Sequence, residues 1–130
     1  KVGMKISIAC PKAYMPDEKL VQWGMESGLL TIGENVLEMA KDADVLYTDV
    51  WASMGDEAET EVRKKAFQGY QVNDAVMAVA KKDAMVLHCL PAHRGEEITN
   101  AVMEAHANDI FDEAENRLHA QKAVLVKLLK

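Results

Sequence analysis

Apolar and polar positions divide the chain into short alternating strands and helices. Runs rich in apolar and β-branched residues predict strands over residues 5–10, 29–32, 44–49 and 84–89. The 44–49 run is almost continuously apolar, as expected for a strand that is buried on both faces. Strands that alternate with helices at this spacing predict βαβ units, so we expect an α/β fold with a doubly wound, Rossmann-like parallel sheet.

Capping residues mark several of the predicted helices. Pro16-Asp17 opens the first helix and Gly28 is placed to end it. Asn73 is placed to cap a helix that reaches about Ala80. Residues 109–112 are predicted to be a brief extended segment. The other predicted helices cover residues 34–41, 57–67, the region around 102–103, and about 114–130.

Composition describes a globular chain with an acidic balance. Of 130 residues, 15 are Lys or Arg and 21 are Asp or Glu, so the formal net charge is −6. That balance argues against nucleic acid as the main partner, since phosphate binding needs clustered cations. No apolar run approaches the ~20 residues that span a bilayer, so no membrane partner is expected. Cys10 and Cys89 are too few for a disulfide framework and predict reduced thiols in a cytoplasmic protein.

Two predicted strands end in loops that contain more polar, sulfur-containing and aromatic residues than a turn needs. Residues 49–55 read DVWASMG and residues 88–95 read HCLPAHRG. In an open α/β sheet, ligands bind beyond the carboxyl ends of the strands. We therefore expect the functional site where these two loops meet. No glycine-rich phosphate loop is present in the sequence.

Other interpretations of these residues stay open at this point. Asp49 could cap a turn, and Cys89 could be an inert buried thiol. His88 and His93 flank Cys89 and could form a zinc site with it, although a matched second pair of ligands is absent. A Cys–His nucleophile would need an oriented base. Arg117, which lies among acidic residues, could form a solvated ion pair.

Three motifs carry a resemblance to a known family. Residues 88–98 (HCLPAHRGEEI) resemble the ornithine signature of the ornithine carbamoyltransferases. Residues 49–55 resemble the ornithine loop of that family, and residues 111–122 (FDEAENRLHAQK) resemble its C-terminal helix. Aspartate carbamoyltransferases usually carry proline at the place of Cys89, and putrescine carbamoyltransferases lack the Ser-Met-Gly of residues 53–55. The resemblance therefore favours ornithine as the substrate.

The resemblance implies two sets of binding residues. For ornithine, Asp49 would pair with the α-ammonium group, while Ser53 and the backbone around Met54 would fix the amino-acid end. Cys89 would lie near the attacking δ-amino group and is assigned a catalytic role.

For carbamoyl phosphate, the resemblance implies contacts by Cys89, Leu90 and Arg117. Leu90 would offer its backbone carbonyl to the carbamoyl amide. Arg117 would reach the phosphate and would be the second catalytic residue. A neutral amine would attack the carbamoyl carbon, and cationic donors would stabilise the oxyanion that forms. Ornithine and carbamoyl phosphate are the implied partners, in a homo-oligomer that is a trimer or a multiple of one; no metal or organic cofactor is implied.

The family has two domains, and the resemblance covers only the second. The Ser-x-Arg-Thr phosphate cradle of the first domain is absent, and so is the first strand of the second domain, which is central in the sheet order 3-2-1-4-5. We therefore interpret residues 1–130 as an ornithine-binding domain that is incomplete at its N-terminal end and inactive alone. Its last helix, about 114–130, would normally pack on the absent domain. The alternative is a non-catalytic amino-acid-binding or interaction module.

Overall fold

Parallel strands form the centre of the fold. The structure, a computed structural model, describes residues 2–52 and 57–129. Within these residues the strands are β1 (Ile6–Ala9), β2 (Leu30–Gly33), β3 (Val45–Thr48) and β4 (Met85–His88). Each lies inside or next to a predicted strand run, so the predicted α/β fold is confirmed.

Helices connect the strands as the capping residues predict. The Asp17 carboxylate accepts hydrogen bonds from the backbone N–H groups of Lys19 and Leu20, and Asn73 caps its helix in the same way. A short 3₁₀ turn (Lys12–Tyr14) follows β1. The helices are α1 (Glu18–Glu26), α2 (Val36–Ala40), α3 (Glu57–Ala66), α4 (Asp74–Val79), α5 (Asn100–Ala105) and α6 (Ala107–Leu128). None of the described helices is both long and apolar enough to cross a membrane.

The extended segment predicted at residues 109–112 is wrong, because these residues belong to α6. The backbone N–H of Ile110 donates to the carbonyl of His106 at 3.1 Å, which continues the helix directly after α5. Ile110 is fully buried in the core, whereas the adjacent Phe111 is exposed. Burial of one residue at helical spacing therefore outweighs the β-propensity of the Ile-Phe pair. The last helix also begins at Ala107 rather than near Ala114.

The strands form two separate parallel pairs. β1 pairs with β2, and β3 pairs with β4 with Thr48 opposite His88; no hydrogen-bonded ladder joins the two pairs within the described residues. These pairings are the ones that the order 3-2-1-4-5 implies when its first strand is missing. A cleft of about 1150 Å³ lies between β1 and β3 and is lined by residues of both strands.

The core lies on one face of the β3–β4 pair. α2, α4, α5 and the start of α6 contribute to it, and partly buried residues such as Leu90 and Ala92 pack against it. On the other pair, buried Gly24 lets α1 approach β2, since a Cβ at this position would lie 2.8 Å from the Leu30 Cβ. The buried core residues are Ala40, Leu46, Val72, Val76, Val86, Ile98, Val102, Met103 and Ile110.

The C-terminal part of α6 exposes a large apolar surface. Its apolar side chains are each more than half exposed, and apolar patches of this kind favour association. The free edges of β1 and β3 add unpaired backbone groups, which also favour association. These exposed residues are Leu118, Val124, Leu125, Val126, Leu128 and Leu129.

We expect the 130-residue chain to self-associate in analytical ultracentrifugation. Leu118→Glu combined with Leu125→Glu should reduce association if the α6 surface drives it, because the two positions are seven residues apart and share one helix face. Lys122→Glu is the matched control for the added negative charge. A compact monomer with a sharp, cooperative thermal transition would contradict the prediction.

Candidate functional site

Strand register brings Asp49 and Cys89 together. Thr48 is opposite His88 at the carboxyl ends of β3 and β4, so the next residue of each strand, Asp49 and Cys89, leaves the sheet at the same edge. Ligand-capable atoms of Asp49, His88 and Cys89 all lie within 4.8 Å of one another. The predicted meeting of the two loops at the carboxyl edge is confirmed for these residues.

Side-chain alternation separates the site into two faces. Leu46, Val86 and His88 are buried on the core face. Residues one position away point to the opposite face, because successive side chains of a strand alternate. Tyr47 and Cys89 therefore share the outer face at this edge. This is the face on which a ligand can reach the thiol.

Cys89 lies in a network of polar groups. Burial raises the pKa of its thiol, a hydrogen bond to the Asp49 carboxylate raises it further, and a hydrogen bond from Tyr47 lowers it. A raised thiol pKa keeps the sulfur protonated at neutral pH, so Cys89 is a poor nucleophile there. One oxygen of Asp49 also accepts from the backbone N–H of Val50 at 2.7 Å, so this carboxylate caps the turn as well as contacting the thiol.

His88 and Glu97 form a buried pair beneath the loop. Both side chains are fully buried, and His88 Nε2 lies 3.0 Å from Glu97 Oε1. The backbone N–H of Leu90 donates to His88 Nδ1 at 2.9 Å. Because Nδ1 accepts this bond, the ring proton belongs on Nε2, which donates to Glu97. His88 is thus held as one neutral tautomer.

The same pair fixes the backbone that carries Cys89. Glu97 Oε1 also accepts from the backbone N–H of His93 at 2.6 Å, so one carboxylate holds two points of the 88–97 loop. Leu90 has a φ of 53°, a left-handed conformation that a leucine rarely adopts without support. The bond from the Leu90 N–H to His88 supplies such support. The loop geometry at Cys89 and Leu90 therefore depends on the buried pair.

Arg117 lies on α6, on the same helix face as Glu113. It follows Glu113 by one turn of the helix, and Glu113 interacts with Tyr47 and Cys89. Arg117 is exposed and forms no ion pair or hydrogen bond with the described part of the chain. Among residues 2–52 and 57–129, the ion pair considered for Arg117 is therefore not formed, and these residues leave its guanidinium available to a ligand.

Ser53 and Met54, predicted to contact ornithine, lie outside the described residues. The loop that leads to them is anchored at Trp51. The Trp51 ring stacks on Phe67, with centroids 6.1 Å apart and an interplanar angle of 21°. Arg63 Nη1 donates to the Trp51 carbonyl at 3.4 Å, and the Arg63 guanidinium lies 5.1 Å from the centroid of the Tyr14 ring.

The arrangement does not supply a metal site at Asp49, His88 and Cys89. Both ring nitrogens of His88 are engaged, Nδ1 by the Leu90 N–H and Nε2 by Glu97. A metal ligand must offer a free lone pair, which neither nitrogen does here. The zinc site considered from the flanking histidines is therefore not supported by the geometry.

A second group of possible ligands, His93, Glu96 and Glu97, is also occupied. Glu96 Oε1 lies 2.8 Å from the Lys64 ammonium, whose charge opposes a cation at this position. Glu97 Oε1 accepts from His88 and from the His93 backbone. Glu97 Oε2 is buried without a partner in the described residues. We assign no metal to this group.

Two residues of the site, Tyr47 and Glu113, were missed by sequence reasoning. Tyr47 is two residues before Asp49, the spacing that places strand residues on one face. Glu113 is four residues before Arg117, the spacing that places helix residues on one face. Both signals are present in the sequence once Asp49 and Arg117 are chosen. Glu97 carried no such signal, since its partner His88 is reached only through the loop fold.

The fold and the site together define a parallel α/β ligand-binding domain, with an acid and a thiol at the carboxyl edge of its sheet. Residues 1–128 match the family described as aspartate/ornithine carbamoyltransferase, Asp/Orn binding domain. The chain belongs to this family, which confirms the family resemblance seen in the three motifs.

Named relatives agree with this family. The chain is 51% identical over 131 residues to ornithine carbamoyltransferase of Geobacter sulfurreducens, covering 99% of this chain and 43% of the relative. It is 56% identical over 128 residues to the Archaeoglobus fulgidus enzyme of that name, covering 98% and 42%. The crystal structure of anabolic ornithine carbamoyltransferase from Campylobacter jejuni superposes with a TM-score of 0.89 at 44% identity, covering 97% of this chain and 43% of that one. The chain thus spans about two fifths of the length of these relatives.

Proposed function

We propose that this chain is the ornithine-binding part of a longer ornithine carbamoyltransferase, which transfers the carbamoyl group of carbamoyl phosphate to the δ-amino group of ornithine. The observation that carries the proposal is the meeting of Asp49 and Cys89 at the carboxyl edge of β3 and β4. The names of the relatives, at about 50% identity, support the same substrate.

The carboxylate and the thiol suit the two ends of a diamino acid. Asp49 is exposed and keeps one oxygen beyond its bond to the Val50 N–H, so it can pair with the α-ammonium group. Cys89 is half-buried and protonated at neutral pH, so it can lie against a neutral amine without adding a charge. We assign Ser53 and Met54 to the amino-acid end of ornithine and the Leu90 carbonyl to the carbamoyl amide.

We assign to Arg117 the role of stabilising the negative charge that develops during the reaction. Attack of the amine on the carbamoyl carbon forms a tetrahedral oxyanion, and phosphate then leaves with the electrons of the C–O bond. The free guanidinium of Arg117 can donate to the phosphate oxygens or to the oxyanion. The attacking amine must first lose its proton, so the site must favour the neutral amine.

Two alternatives are less well supported. The raised pKa of the Cys89 thiol disfavours an enzyme that uses it as a nucleophile. A non-catalytic binding module with the same fold would need no free arginine beside the site. We also propose that the protein works in the cytoplasm, where its two free thiols stay reduced, and that the longer enzyme is a trimer or a multiple of one.

In the longer enzyme, Asp49→Asn should raise the KM for ornithine far more than the KM for carbamoyl phosphate. Losing a charge-assisted hydrogen bond costs about 1.5–3 kcal/mol, which corresponds to roughly a 10–150-fold rise in KM if ornithine binding is at equilibrium. Steady-state kinetics with each substrate varied in turn gives both constants.

Asp44→Asn is the matched control, since Asp44 lies at the opposite end of β3 and pairs with Lys81 at 2.5 Å. It should leave both KM values unchanged. Equal changes in both constants for Asp49→Asn would show that Asp49 does not recognise ornithine.

The 130-residue chain alone, freed of host enzyme, should make no citrulline. Turnover by this chain would show that the site needs no further domain.

A further inference from the structure

α3 and the segment directly after it contact both loops of the candidate site. Arg63, in the last turn of α3, donates from Nη1 to the Trp51 carbonyl in the loop after β3, at 3.4 Å. Gln71, between α3 and α4, donates from Nε2 to two consecutive carbonyls in the loop after β4, Gly95 at 2.9 Å and Glu96 at 2.8 Å. One stretch of the chain therefore holds the backbone of both loops.

Arg63 is itself fixed by two further contacts. Its Nη2 donates to Glu59 Oε1 at 2.9 Å, one helical turn earlier, and its guanidinium carbon lies 5.1 Å from the centroid of the Tyr14 ring. A guanidinium can make all these contacts at once, because it is a planar fork of donors whose face can also lie on an aromatic ring. Trp51 is two residues beyond Asp49, whose carboxylate accepts from the next backbone N–H. Holding the Trp51 carbonyl thus limits the directions in which Asp49 can point.

Gln71 acts on the loop that carries Cys89. Its side-chain amide supplies the N–H donors for the two carbonyls, and the next residue continues the support, since the backbone N–H of Val72 donates to the Glu97 carbonyl at 2.8 Å. The Glu97 side chain in turn bonds to His88 at 3.0 Å, directly before Cys89. The backbone that Gln71 holds therefore carries the acid that fixes the start of the same loop.

We propose that Arg63 and Gln71 are positioning residues of the longer enzyme: Arg63 orients Asp49 for ornithine, and Gln71 orients the Cys89 loop for the transfer step. The inference rests on the proposed function for the identity of the substrates. Loops hold binding groups less precisely than helices and strands do, so a donor from α3 or its neighbouring segment to each loop supplies the missing precision. Both side chains act through backbone carbonyls, so a side chain without donors at either position removes the effect.

The first measurement is amide hydrogen exchange of the longer enzyme without substrates. Arg63→Met and Gln71→Met remove the donors and keep an unbranched stem. The N–H groups of Val50, Gly95 and Glu96 are hydrogen-bonded, so their exchange reports opening of the two loops. Arg63→Met should speed exchange of peptides with Val50 by roughly 2–10-fold, the worth of one hydrogen bond, and Gln71→Met should do the same for Gly95 and Glu96.

The second measurement is steady-state kinetics of the same variants. Arg63→Met should raise the KM for ornithine by roughly 2–10-fold and leave kcat and the KM for carbamoyl phosphate nearly unchanged, because one hydrogen bond that supports binding is lost. Gln71→Met should instead lower kcat by a similar factor. Partial unfolding would lower kcat in both variants without changing either KM, so it cannot produce this split.

Two further methionine substitutions are the matched controls. Lys81→Met removes a cation that pairs with Asp44, and Gln22→Met removes an amide that donates to Glu26; these partners lie outside both loops. Neither control should change exchange in the loops or the kinetic constants.

The proposal is overturned if exchange rises throughout the enzyme, if the named loop does not respond, or if the loops open without the expected kinetic split. The exchange measurement contains neither substrate. A wild-type enzyme that makes no citrulline would therefore refute the proposed function, while the exchange pattern still decides whether Arg63 and Gln71 hold the two loops.

Discussion

Replacing Arg117 with lysine in the longer enzyme is expected to lower kcat by about 10²–10³-fold, as the loss of one oxyanion donor does in other enzymes. Lysine keeps the positive charge but cannot copy the planar fork of donors that arginine presents to phosphate and oxyanion oxygens. The side chain is exposed on α6 and has no partner in the described part of the chain, so the substitution breaks no structural ion pair.

In this experiment the rate is measured with both substrates at saturating concentrations, so that it gives kcat without any effect on substrate binding. Arg94→Lys is the matched control, since Arg94 bonds to Asn100 and Glu104 on the protein surface and is expected to leave kcat unchanged. Thermal unfolding of both variants checks that they are equally stable. An Arg117→Lys enzyme with nearly full kcat would show that Arg117 is a solvated surface residue.

Removing the His88 imidazole is expected to cost stability more than any other change near the site. His88→Ala removes one of the two donors to the buried Glu97 side chain, leaving only the His93 backbone N–H, and opens a cavity in a fully buried position. The lost hydrogen bond to a buried group and the large-to-small core change together predict a loss of at least about 3 kcal/mol in the free energy of unfolding. Urea unfolding followed by circular dichroism, at one protein concentration, measures this loss.

His93 provides the comparison for this stability prediction. It lies in the same loop, but its side chain is 47% exposed and its bond to Glu97 comes from the backbone. His93→Ala should therefore change the free energy of unfolding by no more than about 0.5 kcal/mol. If His88→Ala lowered the free energy of unfolding as little as His93→Ala, the His88–Glu97 bond would contribute little to stability.

Local patterns predicted the positions of the strands although few strand residues are buried. In β3 only Leu46 is buried, whereas Val45 and Tyr47 are exposed, so the burial on both faces expected for residues 44–49 is wrong. The four strands are short, apolar and β-branched, and each ends at a loop that the sequence marks clearly. The prediction of an extended segment at residues 109–112 failed because the Ile-Phe pair favours a strand locally. In the structure only Ile110 of this pair is buried in the core, and it lies on a helix. Local sequence preferences do not take this tertiary contact into account.

The site was predictable where it depends on strand ends and not where it depends on loop closure. Asp49 and Cys89 follow directly from the register of parallel strands. The bond between His88 and Glu97 spans nine residues of irregular loop, so only the folded loop brings them together. Glu113 of α6 raises the pKa of the Tyr47 phenol on β3, although the two residues are far apart in sequence and neither residue type signals such an interaction by itself.

The stacking of Trp51 on Phe67 gives the chain an optical signal at the entrance to the proposed ornithine loop. The centroid of the Trp51 indole lies 6.1 Å from that of the Phe67 ring, and the Trp51 backbone carbonyl accepts from Arg63, so the emission of this indole depends on both contacts. The other indole, Trp23, lies half-exposed on α1, and Trp23→Phe would leave Trp51 as the single tryptophan, which excitation at about 295 nm selects over tyrosine. A change in the surroundings of Trp51 on ligand binding would then be readable as a change in intrinsic fluorescence, without attaching a label to the protein.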